Sequence, residues 1–246
     1  MKNDLAMALD PVLLAERLAF TPDPWQAQVL RTAARQVILN CSRQTGKSTI
    51  TALLALHQAL YCSPSLVLLL SPSLRQSGEL FRKVTAFYRQ IEKAAPVEAE
   101  SALRLELENG SRVVSLPGKE QTVRGFSGVT LLVVDEAARV PDALYYAIRP
   151  MLAVSGGRIV LLSTPFGTRG FFFREWQEGE GWNKTKITAY DCPRIPAEFL
   201  EEEKRTIGEW WFRQEYLGEF LDAQSQAFTY EAVQAAFKEA IEPWKL

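Results

Sequence analysis

Apolar residues are spaced along this chain in two alternating rhythms. Short, nearly unbroken runs of Val, Leu and Ile occupy residues 36–40, 66–71, 130–135 and 158–163. Between them lie stretches with helical spacing, such as residues 47–61, where Leu53, Leu54, Leu56 and Leu60 share one side. Continuous apolar strands alternating with helices predict an α/β fold with a mainly parallel sheet covered on both faces, because a strand buried on both sides has no polar face to show. Further helices are predicted over residues 11–19, 25–34, 73–94 and 142–151, with Asp23-Pro24 as cap and first-turn proline of the second. Residues 102–107 and 112–116 predict a hairpin around Asn109-Gly110. The alternation weakens after Thr164-Pro165. A strand over 184–189, helices over 196–206 and 209–221, a polar break at Gln224–Gln226 and a short helix over 231–241 follow. The expected division is a core of residues 1–165 and a smaller lid or linker subdomain over residues 166–246.

Bulk properties narrow this picture. A chain of 246 residues with 47% hydrophobic and 23% charged residues can bury a full core. Its net charge of -1 provides no global basic field, so a nucleic-acid surface would have to be local or shared between subunits. Cys41, Cys62 and Cys192 are far apart and form no CxxC pair, which argues against a disulfide framework and a zinc site. The first twenty residues carry acids within their apolar stretch and show no cleavage pattern, and no apolar run is long enough to cross a bilayer. A soluble, cytoplasmic protein with no membrane partner is expected.

The candidate chemistry starts at Cys41-Ser42-Arg43-Gln44-Thr45-Gly46-Lys47-Ser48, followed by Thr49. Apart from Cys41 in place of a first glycine, the stretch matches the phosphate-loop pattern, and it joins a predicted strand to a predicted helix. A tight loop there turns backbone N–H groups inward, while the helix aims its positive end at the same point. Lys47 is placed to reach β- and γ-phosphates, the Ser48 hydroxyl to ligate Mg2+, and Gly46 to permit close approach. Cys41 itself reads as a small buried residue ending a strand.

The strand over 130–135 ends in Asp135-Glu136. A parallel strand delivers its last residues to the ligand edge of the sheet, so Asp135 suits a Mg2+ ligand and Glu136 a general base for water. Ser163-Thr164 end another strand, where hydroxyls can sense a γ-phosphate, although Ser-Thr-Pro is also ordinary turn chemistry. Gln26 offers an amide to an adenine edge and Trp25 an aromatic face, with plain core packing as the competing reading for Trp25. Arg43 within the loop and Arg124 in the polar segment before the acidic strand are candidates to neutralise transition-state charge, against the alternatives of a loop brace and a surface salt bridge. Arg169, Arg174, Lys184 and Lys186 are weak candidates for nucleic-acid contact, a solvated face explaining them equally well. His57 reads as a helix-surface residue and Glu201–Glu203 as helix solvation.

Taken in order, these elements resemble the large terminase subunit of tailed bacteriophages, the ATPase that drives DNA into the procapsid. The matching stretches are Pro24-Trp-Gln26, Cys41–Ser48, Val123-Arg-Gly-Phe126, Leu131–Ala138, Leu161–Pro165 and Phe212-Arg-Gln-Glu-Tyr-Leu-Gly-Glu-Phe220. They span residues 22 to 222. A loop with a non-glycine first residue and an internal arginine is typical of that family. The resemblance implies the additional-strand (ASCE-type) P-loop NTPase fold with a lid after Thr164, Mg-ATP as cofactor, and Arg43 against the phosphates. It implies Arg124 as an arginine finger across a ring interface and Ser163-Thr164 as the coupling motif. The implied partners are double-stranded DNA, a portal protein and a small terminase subunit, with the chain a monomer alone and a homo-oligomeric ring when assembled at the portal in the host cytoplasm. Family members usually continue into a ribonuclease-H-like domain; here the chain ends at Leu246, so no DNA cutting is expected of it. The alternatives are a helicase-like, nucleic-acid-dependent ATPase and a nucleotide-binding docking module with little turnover.

Overall fold

The computed structural model describes residues 2–92, 94–118, 123, 125–222 and 230–238. Three helices open the chain: α1 (Lys2–Leu9), α2 (Pro11–Arg17) and α3 (Pro24–Arg31). Then come β1 (Gln36–Cys41), α4 (Lys47–Tyr61), β2 (Leu66–Ser71) and α5 (Leu74–Tyr88). A meander of β3 (Val97–Glu100), β4 (Arg104–Leu107) and β5 (Arg112–Pro117) precedes β6 (Leu131–Asp135), α6 (Asp142–Ile148) and β7 (Arg158–Ser163). The remainder holds α7 (Gly170–Gln177), β8 (Asn183–Ile187), α8 (Ala197–Ile207), α9 (Glu209–Leu217) and α10 (Tyr230–Lys238).

The strands form one sheet in the order β3-β4-β5-β2-β6-β7-β1-β8. From β5 to β8 every pairing is parallel, and at the other edge β4 runs antiparallel to both β3 and β5. β7 lies between β1 and β6, so the loop-bearing strand and the acid-bearing strand are not neighbours. This is the additional-strand arrangement of the P-loop NTPase fold. The register sets Asn40 beside Ser163 and Asp135 beside Leu162, which gathers the loop, both acids and Ser163 along one carboxyl edge.

Alternate residues of the strands feed two separate cores. Val37, Leu39, Val67, Leu69, Val133, Val160 and Leu162 meet residues from α2 to α5 on one face. Ile38, Leu68, Leu70, Leu132, Val134, Ile159 and Leu161 meet Leu144, Tyr145, Phe171 and Phe172 from α6 and α7 on the other. Double-sided burial explains the unbroken apolar runs. A third, small cluster forms around Ala189, Leu200 and Phe212.

Several elements depart from the sequence pattern for identifiable reasons. The helix expected over 73–94 stops at Tyr88, ahead of Pro96, and the chain then forms β3, whose four residues are all exposed and so carry no apolar signal. The helix expected to reach 151 changes at Arg149 to a 3-10 turn through Leu152, with Pro150 at its start. Helix α9 ends at Leu217, where Gly218 takes a left-handed φ of 61°. The strand expected over 184–189 is β8, and it completes the central sheet beside β1. His57 is buried, its Nε2 3.0 Å from the carbonyl of Met7, because α1 lies over the end of α4. The polar break at Gln224–Gln226 and residues 239–241 of the expected last helix lie outside the described residues. Among the described residues no helix is long and apolar enough to cross a membrane.

Candidate functional site

Residues 41–48 leave β1 and turn directly into α4. Cys41 still belongs to the strand, and its side chain lies in the core on the α2–α5 face, so the missing first glycine costs the loop no space. Burial pushes its thiol up to about 12, which leaves it protonated and inert. Gln44 and Gly46 have positive φ of 62° and 89°, and these two turns curl the backbone around a centre. At its φ of 89° any side chain on Gly46 would be strained, and a Cβ there would come within 2.8 Å of the Gln26 amide nitrogen and push that brace aside. The backbone N–H groups of residues 44–48 have no acceptor among the described residues. They form an anion nest at the positive end of a 15-residue helix.

A cavity of about 420 Å3 opens over this nest, lined by the loop together with Glu136 and Thr164. Lys47 Nζ stands 3.4 Å from Glu136 Oε1 and 3.4 Å from Thr164 Oγ1. Ser48 Oγ stands 3.4 Å from Asp135 Oδ2. Asp135 is buried, and burial, reinforced by the charge of Glu136, raises its pKa to about 6 against the opposing pull of Lys47 and of bonds from the Glu136 amide and Ser48. Glu136 has a left-handed φ of 52°, a conformation that costs a non-glycine residue about 1 kcal/mol or more and points its carboxylate into the cavity. Ser163 Oγ accepts the amide of Ala138 at 3.2 Å, tying the end of β7 to the turn that follows Glu136.

Three elements far apart in sequence hold the loop in shape. The carbonyl of Thr45 accepts from Gln26 Nε2 and from Arg194, each at 3.2 Å. Arg194 also grips Asp23 through two bonds of 2.9 and 2.8 Å, and the Asp23 amide donates to Gln26 Oε1 at 2.8 Å. The Ser42 amide donates to Ile187 at the end of β8. On the other side, the guanidinium of Arg43 pairs with Glu215 of α9, while the Arg43 amide donates to the Glu215 carbonyl. This pairing raises the Arg43 pKa further. Asn40 donates to the Gly218 carbonyl at 2.8 Å. The 212–220 stretch is thus the clamp on the loop.

The structure brings together Ser42, Arg43, Gln44, Thr45, Gly46, Lys47, Ser48, Thr49, Asp135, Glu136, Ser163 and Thr164. It places Trp25 in the core, away from the cavity lining, and engages both ends of the Gln26 amide in bracing the loop. Arg124 lies outside the described residues. Gln76 and Lys83 of α5 and Arg139 also line the cavity, and none had a motif to mark it. The spacing of Gln76 and Lys83, two turns apart on a polar helix face, is the one local signal available. Arg139 stacks over Phe166 at 4.1 Å, just after Thr164. Of the basic residues after Pro165, Arg174 is paired with Asp142. Arg169 lies over Phe166, and Lys184 and Lys186 are on β8.

Comparison with known proteins agrees with this geometry. Residues 38–235 match the family described as terminase large subunit, T4likevirus-type, N-terminal. The chain is 26% identical over 250 residues to the large terminase subunit of Thermus phage G20c, covering 87% of this chain and 52% of that one. It therefore spans about half of that relative's length. Among solved structures, the large terminase ATPase domain of Thermus phage P74-26 superimposes with a TM-score of 0.75 at 22% identity, covering 84% of this chain and 97% of that domain. The large terminase of another thermophilic bacteriophage, solved in complex with ATP-gamma-S, gives a TM-score of 0.62 at 15% identity, over 85% of this chain and 52% of that protein.

Proposed function

This chain belongs to the large terminase subunit family, matching its N-terminal domain, and on that premise we propose that it hydrolyses Mg-ATP and couples hydrolysis to moving double-stranded DNA into a procapsid. The observation that carries the proposal is the cavity lined by Lys47, Glu136 and a loop whose amides 44–48 have no acceptor among the described residues, with Lys47 Nζ 3.4 Å from both Glu136 and Thr164.

In this reading the nest and Lys47 hold the β- and γ-phosphates, Gly46 and Thr49 line the nucleotide's path, and the strained backbone of Glu136 aims its carboxylate at the attacking water. The Ser48 hydroxyl and the Asp135 carboxylate fit a Mg2+ ion, being a hydroxyl and an acid 3.4 Å apart, the acid held to a raised pKa by burial and by the charge of Glu136. Bound there, the ion would offset charge on the phosphate oxygens. Arg43 flanks the same space, where a γ-phosphate competes with Glu215 for its guanidinium. Ser163 and Thr164 relay the phosphate state to the turn after Glu136. Gln26 serves by fixing the loop, and Trp25 by supporting the helix that carries Gln26. Arg124 is assigned to a neighbouring subunit's phosphates in a ring.

We read residues 1–165 as the nucleotide-handling core and 166–246 as lid and linker, β8 of the latter closing the sheet. The partners in this reading are DNA, the portal and a small terminase subunit, in the host cytoplasm. No DNA-cutting step is assigned to these residues. Steady-state ATPase assays on Lys47→Ala and Glu136→Gln test the proposal. Loss of turnover in both is expected, and unchanged turnover in both overturns it. Specific activity that rises with protein concentration, and ceases to do so in Arg124→Ala, is the expected mark of a shared site.

A further inference from the structure

The wall of the nucleotide cavity carries more positive charge than its motifs account for. Of the cations lining it, Lys47 stands against Glu136 and Arg43 against Glu215. Lys83 of α5 and Arg139 have no carboxylate partner among the described residues. Of these two, Arg139 belongs to the turn that carries Glu136. It closes the 3-10 turn Ala137–Arg139, and its amide donates to the Glu136 carbonyl at 2.9 Å.

The Arg139 guanidinium rests on an aromatic ring instead of an acid. It lies 4.1 Å from the centre of the Phe166 ring, two residues past Thr164, whose hydroxyl is 3.4 Å from Lys47 Nζ. Both partners of the contact are therefore anchored beside groups that meet at Lys47, Glu136 on one side and Thr164 on the other. Arg169 approaches the same ring at 5.7 Å, so two like charges share one π-surface. Arg139 is exposed, and an exposed cation–π contact is a weak hold. A guanidinium meeting phosphate oxygens makes short, charge-assisted and often bidentate bonds. A triphosphate is thus the stronger partner, and Arg139 already lines the cavity that would hold it.

We propose that Arg139 is a phosphate ligand supplied by this same chain, stacked on Phe166 in the absence of a γ-phosphate and bonded to the γ-phosphate of a bound nucleoside triphosphate. There its N–H groups offset the charge that builds on the phosphate oxygens during transfer to water. The inference rests on the nucleotide reading above and deepens it: Arg139 is what lets the site tell a triphosphate from a diphosphate.

The test measures the affinity of the full chain for Mg-ATP-gamma-S and Mg-ADP by titration calorimetry, with steady-state turnover and thermal melts alongside. Arg139→Ala is expected to weaken ATP-gamma-S binding by roughly tenfold or more, the worth of a bond to a charged group, and to leave ADP within about twofold. Turnover should fall by roughly 10^2–10^3-fold, as for loss of one donor to a developing oxyanion. Phe166→Leu removes the competing partner, so ATP-gamma-S should bind about two- to five-fold more tightly, the equivalent of an exposed cation–π contact, with ADP unchanged. That gain should vanish when Arg139→Ala is added. A merely structural role for Arg139 would neither separate the two nucleotides nor reverse sign at Phe166. Arg139→Lys keeps the charge without the fork and carries the comparison if the alanine variant melts early; its loss for ATP-gamma-S should be intermediate. Equal weakening of both nucleotides in the Arg139 variants, or weakening of neither, overturns the proposal, and loss of binding in Lys47→Ala then leaves the nucleotide reading standing. A wild type that binds neither nucleotide overturns both.

Discussion

The two edges of the parallel sheet treat charge in opposite ways. At the carboxyl edge ionic groups have partners drawn from other elements: Lys47 with Glu136, Asp135 with Ser48, Arg43 with Glu215, and Arg194 with Asp23. At the amino edge Arg158 is half-buried, and its Nε and Nη2 atoms have no hydrogen-bond partner among the described residues. Both edges exist because parallel strands align all their ends alike, but only one receives the loops that leave the strands toward helix N-termini. Those amides and side chains create a site that is polar and mutually braced. The opposite edge is covered by α1 to α3 and the end of α4, where Arg31 pairs with Asp10 and Arg158 has no carboxylate partner among the described residues. The lesson is that pairing between distant elements preorganises charge at one end, while at the other a guanidinium is left without a carboxylate among the described residues.

The sharpest way to break the comparison is to remove from the paired edge the charge of Glu136, the proposed general base. Glu136→Gln keeps shape and strain but not basicity, and turnover is expected to fall by roughly 10^2–10^4-fold with nucleotide binding retained. Turnover within a few-fold of wild type would remove Glu136 from the chemistry.

The next largest effect is on stability against pH in metal-free, nucleotide-free protein. The unfolded chain gives up the Asp135 proton near 3.8, whereas the folded chain holds it to about 6. Between those values the folded state binds a proton that the unfolded state has lost, so this group's contribution makes stability fall as pH rises, by about 2–3 kcal/mol, and level off above the window. Urea titrations across this range should show Asp135→Asn gaining on the wild type as pH rises. Arg158→Met should leave the slope unchanged, because the arginine does not titrate there. Equal slopes in Asp135→Asn and wild type would contradict the assignment.

Arg194→Ala probes the bracing. It removes the charge-assisted bonds to Asp23 and the contact to the Thr45 carbonyl, leaving Gln26 alone on that carbonyl. Nucleotide affinity is expected to drop by roughly tenfold with little change in the unfolding midpoint. Titration with a fluorescent ATP analogue measures the first, and a melt measures the second. The smallest effect expected is that of Cys41→Ala, which deletes one buried sulfur and costs about 1 kcal/mol with turnover unchanged. In native protein the exposed Cys62 should alkylate while Cys41 stays unmodified, as mass spectrometry can show.

Much of the carboxyl edge was legible because its signals are local. Cys41–Ser48 and Asp135-Glu136 are consecutive residues at strand ends, and a strand of unbroken Val and Leu announces its own burial. Trp25 and Gln26 show where local signals mislead. Both sit beside the loop, yet the packing of α3 turns the indole into the core and uses the amide as a strut. His57 looked exposed because α1 has only a weak apolar pattern, and β3, with no buried residue, left no trace at all.

The chain's order of residues alone thus determined the buried strands, the phosphate loop, the acids and their common edge, since backbone sterics and side-chain periodicity act over a few neighbouring positions. Only the tertiary structure decided that β7 separates the loop strand from the acid strand, that Arg43 meets Glu215 from 172 residues away, and that Arg158 meets no acid among the described residues. Those outcomes depend on which surfaces pack together. Long-range pairing is selected by burial and complementarity across the whole fold, and no short window of sequence contains it.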